Sequence, residues 1–145
     1  MLPRGLTWPL LGLVALLAAR RWLDVVEVRG RSMAPTLWPG DRLLVVRAGP
    51  RRGDVVLGPD PRRPGRELVK RVGAIDARGI HLIGDNPSAS TDARTFGAVP
   101  VEAVGWRALL RYWPPERFGP IPAPTIDEVS PTEGSRPAVS RRPSC

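Results

Sequence analysis

Cysteine, histidine and lysine each occur once in this 145-residue chain, as Cys145, His81 and Lys70. A lone cysteine forms no internal disulfide, so nothing staples the fold and the redox compartment stays open. One cysteine and one histidine are too few for a zinc or haem site, and neither a metal nor any other cofactor is expected. Aromatic residues are also scarce, at 6 %, and they do not interleave with basic residues as a base-stacking platform would require. Nucleic acid is therefore not an expected partner, although the net charge is +8. The excess charge avoids the C-terminal tail, where Arg117, Arg136, Arg141 and Arg142 are matched by Glu116, Asp127, Glu128 and Glu133. It gathers on the N-terminal flanks and the central part of the chain. An anionic membrane surface suits it, because Arg20 and Arg21 adjoin an apolar run.

The scarcity of lysine is itself a clue. Of 22 lysines and arginines, only Lys70 is a lysine. Arginine stays protonated, whereas a buried lysine can lose its proton and serve as a base. Lys70 lies in the apolar setting Leu68-Val69-Lys70-Arg71-Val72. Taken alone, it is equally consistent with a leftover surface lysine.

Gly5 to Ala19 is a run of 15 residues without charge. A membrane span needs about 20 apolar residues, and shorter runs serve as signal-peptide cores or interfacial segments. Leu2, Pro3, Trp22 and Leu23 extend the run if Arg4, Arg20 and Arg21 snorkel. Residues 1–23 are accordingly expected to be a membrane-anchor helix, with a cleavable signal peptide as the competing reading. Beyond it come short apolar stretches punctuated by glycine and proline: Val25 to Val28, Leu43 to Val46, Val55 to Leu57, Glu67 to Ala74, Gly79 to Ile83 and Val99 to Trp113. Strands so short and so regularly interrupted predict a mainly β, compact antiparallel β-barrel-like domain over residues 24–113, behind an N-terminal apolar helix. Residues 114–145 are rich in Pro, Ser, Glu and Arg and are expected to form a disordered tail.

The chemistry concentrates in three segments. The first is Ser32-Met33-Ala34-Pro35-Thr36-Leu37, closed by Gly40-Asp41. On physical grounds alone, a serine between a strand end and a Pro-containing turn can be exposed on a fixed backbone, but most such serines merely satisfy turn hydrogen bonds. The second is Lys70-Arg71-Val72. The third, Gly84-Asp85-Asn86-Pro87-Ser88-Ala89-Ser90-Thr91-Asp92-Ala93-Arg94, ends at Gly97 and by itself reads as an ordinary polar turn. Together and in this order they resemble the boxes of signal peptidase I, a family of membrane-anchored serine proteases. The resemblance spans about residues 25–105 and includes Arg52-Gly53-Asp54-Val55-Val56 ahead of the lysine.

That resemblance implies Ser32 as nucleophile and Lys70 as general base. It implies Ser90 orienting the Lys70 amine, Asp92 and Arg94 as an ion pair beneath the site, and Asp85 and Asn86 fixing the turn. Met33 and Pro35 are implied to bind or position substrate. Serine needs a base to become a nucleophile, and Ser-Lys is a recognised alternative to Ser-His-Asp. The lysine must fall from about 10.4 toward about 7–8, roughly 4 kcal/mol, which burial can supply. His81 is then unnecessary as a base. Two positions depart from the pattern. Ala93 replaces a serine, and Gly30 stands where some members carry an oxyanion-binding hydroxyl, leaving backbone N–H groups, chiefly that of Ser32, for that task.

The implied activity is a serine endopeptidase that removes N-terminal leader peptides from precursor proteins, with a leader peptide and membrane lipid as partners and the cell membrane as location. The short Ser32–Lys70 spacing and the ending Arg111-Tyr112-Trp113-Pro114 also resemble the compact maturation proteases of nickel-type superoxide dismutase. Two other functions stay open. One is a self-cleaving regulator of the LexA type, which shares a Ser-Lys dyad but needs an Ala-Gly bond upstream of the serine. The other is an inert membrane-tethered β adaptor. Arg20, Arg21, Arg29 and Arg31 outnumber Arg4, so the positive-inside rule keeps the domain cytoplasmic, whereas signal peptidases face outward. The side of the membrane remains open.

Overall fold

The computed structural model describes residues 4–123. Helix α1 spans Arg4–Trp22, built from leucine and alanine, with Pro9 inside it and Arg20 and Arg21 in its last turn. Seven strands follow: β1 (Leu23–Glu27), β2 (Arg42–Arg47), β3 (Val55–Pro59), β4 (Glu67–Asp76), β5 (Gly79–Ile83), β6 (Trp106–Trp113) and β7 (Gly119–Pro120). They form one antiparallel sheet in the order β1-β2-β6-β3-β4-β5, with β7 on β6. The fold is mainly β behind an N-terminal helix. The sheet runs open between β1 and β5 at its two ends and does not close into a barrel. Register shifts between β2 and β6 and between β4 and β5 add local twist.

β3 is central and buried on both faces, which is why it reads as the continuous apolar run Val55-Val56-Leu57. Alternation along it feeds two cores. Val55 and Leu57 pack with Val28, Met33, Leu37, Leu43 and Val45. Val56 packs with Val72, Ile80, Leu82, Val99 and Val104. Lys70 lies opposite Val56 in the β3–β4 register, and Arg71 lies opposite Val55. The successive residues Lys70 and Arg71 therefore face opposite sides of the sheet.

Two expectations need correction. No helix among the described residues is long and apolar enough to cross a membrane. The uncharged run of 15 residues gives a rise of about 22 Å, short of the roughly 30 Å hydrocarbon core, before Arg20 and Arg21 intervene. The helix nonetheless exposes its apolar residues, Trp8 at 80 % and Leu10, Leu11, Leu13, Val14, Leu16, Leu17 and Trp22 besides. The second correction concerns the domain boundary expected at Trp113. Pro115–Arg117 form a 3₁₀ turn, and Gly119 and Pro120 pair with Arg111 and Leu110. The rest of the expected tail, residues 124–145, lies outside the described residues.

Asp41 explains why the added segment packs. It is 0 % exposed. Its Oδ1 accepts from Arg117 Nη2 at 2.6 Å, and its Oδ2 accepts from the Trp38 N–H at 2.9 Å and Arg111 Nη1 at 3.3 Å. One carboxylate thus ties the turn after Ser32 to β6 and to the segment beyond it. Asp41→Ala is expected to cost about 3 kcal/mol, the lower end for breaking a buried pair because Arg117 is partly solvated. Urea unfolding monitored by tryptophan fluorescence would show the loss as a lower midpoint at unchanged slope.

Candidate active site

The nucleophile segment leaves β1 through Val28 and turns at Gly30, whose φ is +81°. That left-handed backbone favours glycine, so the missing hydroxyl at this position comes with a conformation that a serine side chain would strain. Met33 is 1 % exposed and packs in the first core. It fixes the turn from beneath and has no surface left to touch a substrate, whereas Pro35 is exposed. Ser32 is half-buried at the top of the turn. Its carbonyl accepts from the Asn86 N–H at 3.0 Å. The third segment thereby clasps the first through backbone.

Ser32 and Lys70 line the same cleft, about 150 Å³ in volume, with Gly30, Leu68, Ala89 and Thr91 among its walls. Lys70 is 2 % exposed. Its Nζ donates to Ser90 Oγ at 2.6 Å, and Ser90 Oγ donates to Asp92 Oδ2 at 2.9 Å. Asp92 is buried and also accepts from the Gly84 N–H at 3.0 Å and from Arg94 Nε and Nη2 at 2.9 and 2.6 Å. Lys70, Ser90, Asp92 and Arg94 form one continuous hydrogen-bonded chain.

The electrostatics follow from this arrangement. Burial lowers the Lys70 pKa below 10.5; Asp92 opposes the shift, and the cationic Arg94 and Arg62 reinforce it. For Asp92, burial alone would raise the carboxyl. The hydrogen bonds from Arg94, Gly84 and Ser90 outweigh that and hold it well below the usual carboxylate range. A permanently ionised Asp92 orients Ser90, and Ser90 in turn fixes the amine.

Asp85 and Asn86 divide between side chain and backbone. Asp85 accepts from Arg71 Nε and Nη2 at 2.8 and 2.7 Å, and Arg71 Nη1 donates to the Gly53 carbonyl at 2.8 Å. Asn86 contributes its N–H to Ser32 and its side-chain oxygen to Ser88. Arg71 and Asp41 are the organising residues that sequence reasoning passed over. Arg71 stands beside Lys70 in its segment, but adjacency does not reveal a partner 14 residues away. His81 accompanies Asp76 on the exposed hairpin at 2.9 Å, outside the cleft.

Comparison with known proteins adds the lineage. Residues 5–81, just over half of the chain, match the family model described as signal peptidase, peptidase S26. The chain belongs to the S26 signal peptidase family. Mitochondrial ATP-independent inner membrane protease subunit 1a of Arabidopsis thaliana is 35 % identical over 127 residues, covering 68 % of this chain and 76 % of that protein. Mitochondrial inner membrane protease subunit 1 of Xenopus tropicalis is 31 % identical over 123 residues, covering 68 % and 74 %. Subunit 2 of the mouse protease is 30 % identical over 136 residues, covering 72 % and 78 %. As an S26 peptidase the chain is a serine-type peptidase. The family-model match runs from α1 to β5 and stops short of Ser90, Asp92 and Arg94.

Proposed function

We propose that this S26 peptidase is a Ser32–Lys70 endopeptidase that removes N-terminal leader peptides from precursor proteins at a membrane surface. The observation that carries the reading is Lys70: buried, lowered in pKa, held by Ser90 over Asp92, and sharing a cleft with Ser32. In the reaction Ser32 Oγ attacks the scissile carbonyl while neutral Lys70 takes its proton. The tetrahedral oxyanion is met by backbone N–H groups, chiefly that of Ser32, with no hydroxyl at Gly30. Collapse breaks the C–N bond, and Lys70 returns the proton to the leaving amine. The same lysine then activates water to hydrolyse the Ser32 ester.

Helix α1 places its exposed apolar surface in lipid, with Arg20 and Arg21 among the headgroups. The relatives named as inner membrane proteases support a membrane-bound setting. Among precursors, that of a nickel-type superoxide dismutase is the proposed dedicated substrate, on the strength of the short Ser32–Lys70 spacing and the ending Arg111-Tyr112-Trp113-Pro114. Membership in the signal peptidase family, together with the lack of an Ala-Gly bond before Ser32, disfavours the self-cleaving alternative.

The test co-expresses the chain with a nickel superoxide dismutase precursor and, separately, with a secretory precursor. Intact mass then reads each N-terminus against Ser32→Ala. Ser32-dependent trimming of the dismutase alone supports the dedicated protease, and trimming of the secretory precursor makes the chain a general leader peptidase. Trimming of neither removes both precursors as substrates and returns weight to the inert-adaptor reading.

Arg94 offers a pH test of the base. Its cation lowers the Lys70 pKa directly and partly neutralises Asp92, which raises it. Both effects are lost in Arg94→Gln, so the Lys70 pKa climbs. Because the base works when neutral, the acid limb of kcat/KM against pH moves to higher pH, with the plateau rate little changed. A limb that stays in place would remove Lys70 from the role.

A further inference from the structure

The wall of the cleft beyond Lys70 is cationic, and the mechanism above makes no use of it. Arg31, Arg62 and Arg66 all line the cavity that holds Ser32 and Lys70. The strand period explains part of this: in β4 and its approach, Arg66, Leu68 and Lys70 share one face, while Glu67 and Val69 take the other. Among the described residues no carboxylate lines the cleft. Asp60 is buried beneath the β3–β4 turn, where its Oδ1 accepts from the Arg62 N–H at 3.0 Å and lies 3.4 Å from Arg62 Nε. It therefore offsets Arg62 in part while holding the turn in place. That turn is closed by the Asp60 N–H to the Arg66 carbonyl at 2.8 Å and the Arg63 N–H to the Asp60 carbonyl at 3.0 Å. Among the described residues no ion pair joins a carboxylate to Arg31 or Arg66. With Lys70 neutral, Arg31, which no carboxylate pairs among the described residues, and Arg62 and Arg66, which Asp60 offsets only in part, border a small space where the substrate chain must pass.

Resting on the Ser32–Lys70 reading, we propose that Arg31, Arg62 and Arg66 make this peptidase selective for precursors carrying an acidic side chain near the scissile bond. Arg66, one residue ahead of β4, lies four residues from Lys70, about 13 Å at 3.3 Å per residue, and its long side chain reaches part of the way back. An extended substrate has the same rise, so the favoured carboxylate sits two to four residues from the cleaved bond, on one side of it. The guanidinium fork matches a carboxylate in shape as well as charge. A lysine at the same substrate position is repelled, which excludes precursors with basic leaders.

The experiment uses the full chain in neutral detergent micelles with internally quenched peptides that have small residues before the scissile bond. Each set differs only by Asp, Asn or Lys at one position, scanned over the four positions on either side. Wild type is expected to prefer Asp over Asn by about tenfold in kcat/KM at one position, the size of one charge-assisted hydrogen bond. Lys should be cleaved more slowly than Asn, and high salt should compress the whole series. Arg66→Gln and the double variant Arg31→Gln, Arg62→Gln should each pull the Asp-to-Asn ratio toward unity. These arginines are surface residues, and the ratio within one variant is insensitive to how much of it is active. A wild-type ratio near unity at every position, with Ser32-dependent cleavage intact, overturns the selectivity and leaves the protease reading standing. If no peptide is cleaved in a Ser32-dependent way, the protease reading fails and the selectivity goes with it. If the variants keep the ratio but lose binding to phosphatidylglycerol vesicles, the arginines serve the membrane and the proposal is overturned.

Discussion

Lys70→Met is expected to abolish peptide cleavage while making the folded protein more stable at neutral pH. The loss of rate should be at least about 10³-fold, since methionine can neither take the Ser32 proton nor give one to the leaving amine. The gain in stability follows from linkage. Lys70 is almost wholly buried and its pKa is lowered from 10.5, first by burial. In the unfolded chain the amine binds a proton up to about 10.5. Between the lowered native value and 10.5 the unfolded state holds more protons than the native one, so wild-type stability rises with pH through that window. Below the native value the full penalty persists, because the fold must then house a charged amine. Methionine has similar length and no charge, so the variant escapes the penalty. The amine's hydrogen bond to Ser90 is lost, but Ser90 keeps Asp92.

Differential scanning fluorimetry between pH 6 and pH 10 separates the possibilities. The melting temperature of wild type should climb across the window and that of Lys70→Met should stay flatter, with the variant above wild type at the neutral end. Each kcal/mol is worth about 4–8 °C in a domain of this size. Parallel curves would mean that the native amine is as easily protonated as a free lysine, and the general-base role would fall.

How much of this site the sequence disclosed depends on the distance over which each feature is written. Ser32, Lys70 and Ser90 lie in local segments whose residue types carry the chemistry, and the β-rich runs around them place each on a strand or turn. The pairing of Arg71 with Asp85, or of Asp41 with Arg111 and Arg117, is a property of the folded sheet. Asp41 in Pro39-Gly40-Asp41 reads as one more turn residue, and only the position of β6 reveals it as a buried hub. The same hub accounts for the misplaced domain end. Pro114 to Ala123 has the composition of a tail, yet Arg117 reaches Asp41 and the Pro122 carbonyl accepts from Arg71. Composition measures whether a segment can bury itself, and here the segment is held by charges supplied from elsewhere. Helix α1 failed for a different reason. Its apolar character was plain, but length decides a crossing, and the arginines end the run too early.

Gly84 is where the three segments converge, and its substitution should be the most damaging change that touches no catalytic atom. A Cβ added there would collide with the Oγ and Cβ of Ser90 and lie 2.6 Å from the Ser32 carbonyl oxygen. The Gly84 N–H also holds Asp92 Oδ2. One methyl group would thus push apart the nucleophile turn and the residue that orients the base, the two parts whose mutual placement sets the attack geometry. Displacements near 1 Å cost about 10²-fold in rate, whereas overpacking of this kind costs about 1–3 kcal/mol in stability. Gly84→Ala is therefore expected to lower kcat by about two orders of magnitude in protein that still unfolds cooperatively. Gly105→Ala is the matched control, because a Cβ there meets nothing within 4 Å and no positive φ opposes it. Single-turnover cleavage of one leader peptide by the two variants makes the comparison. A Gly84→Ala enzyme within a few-fold of Gly105→Ala would show that the clasp between Ser32 and the Gly84–Arg94 loop is free to shift without consequence, and that chemistry at Ser32 does not depend on this contact.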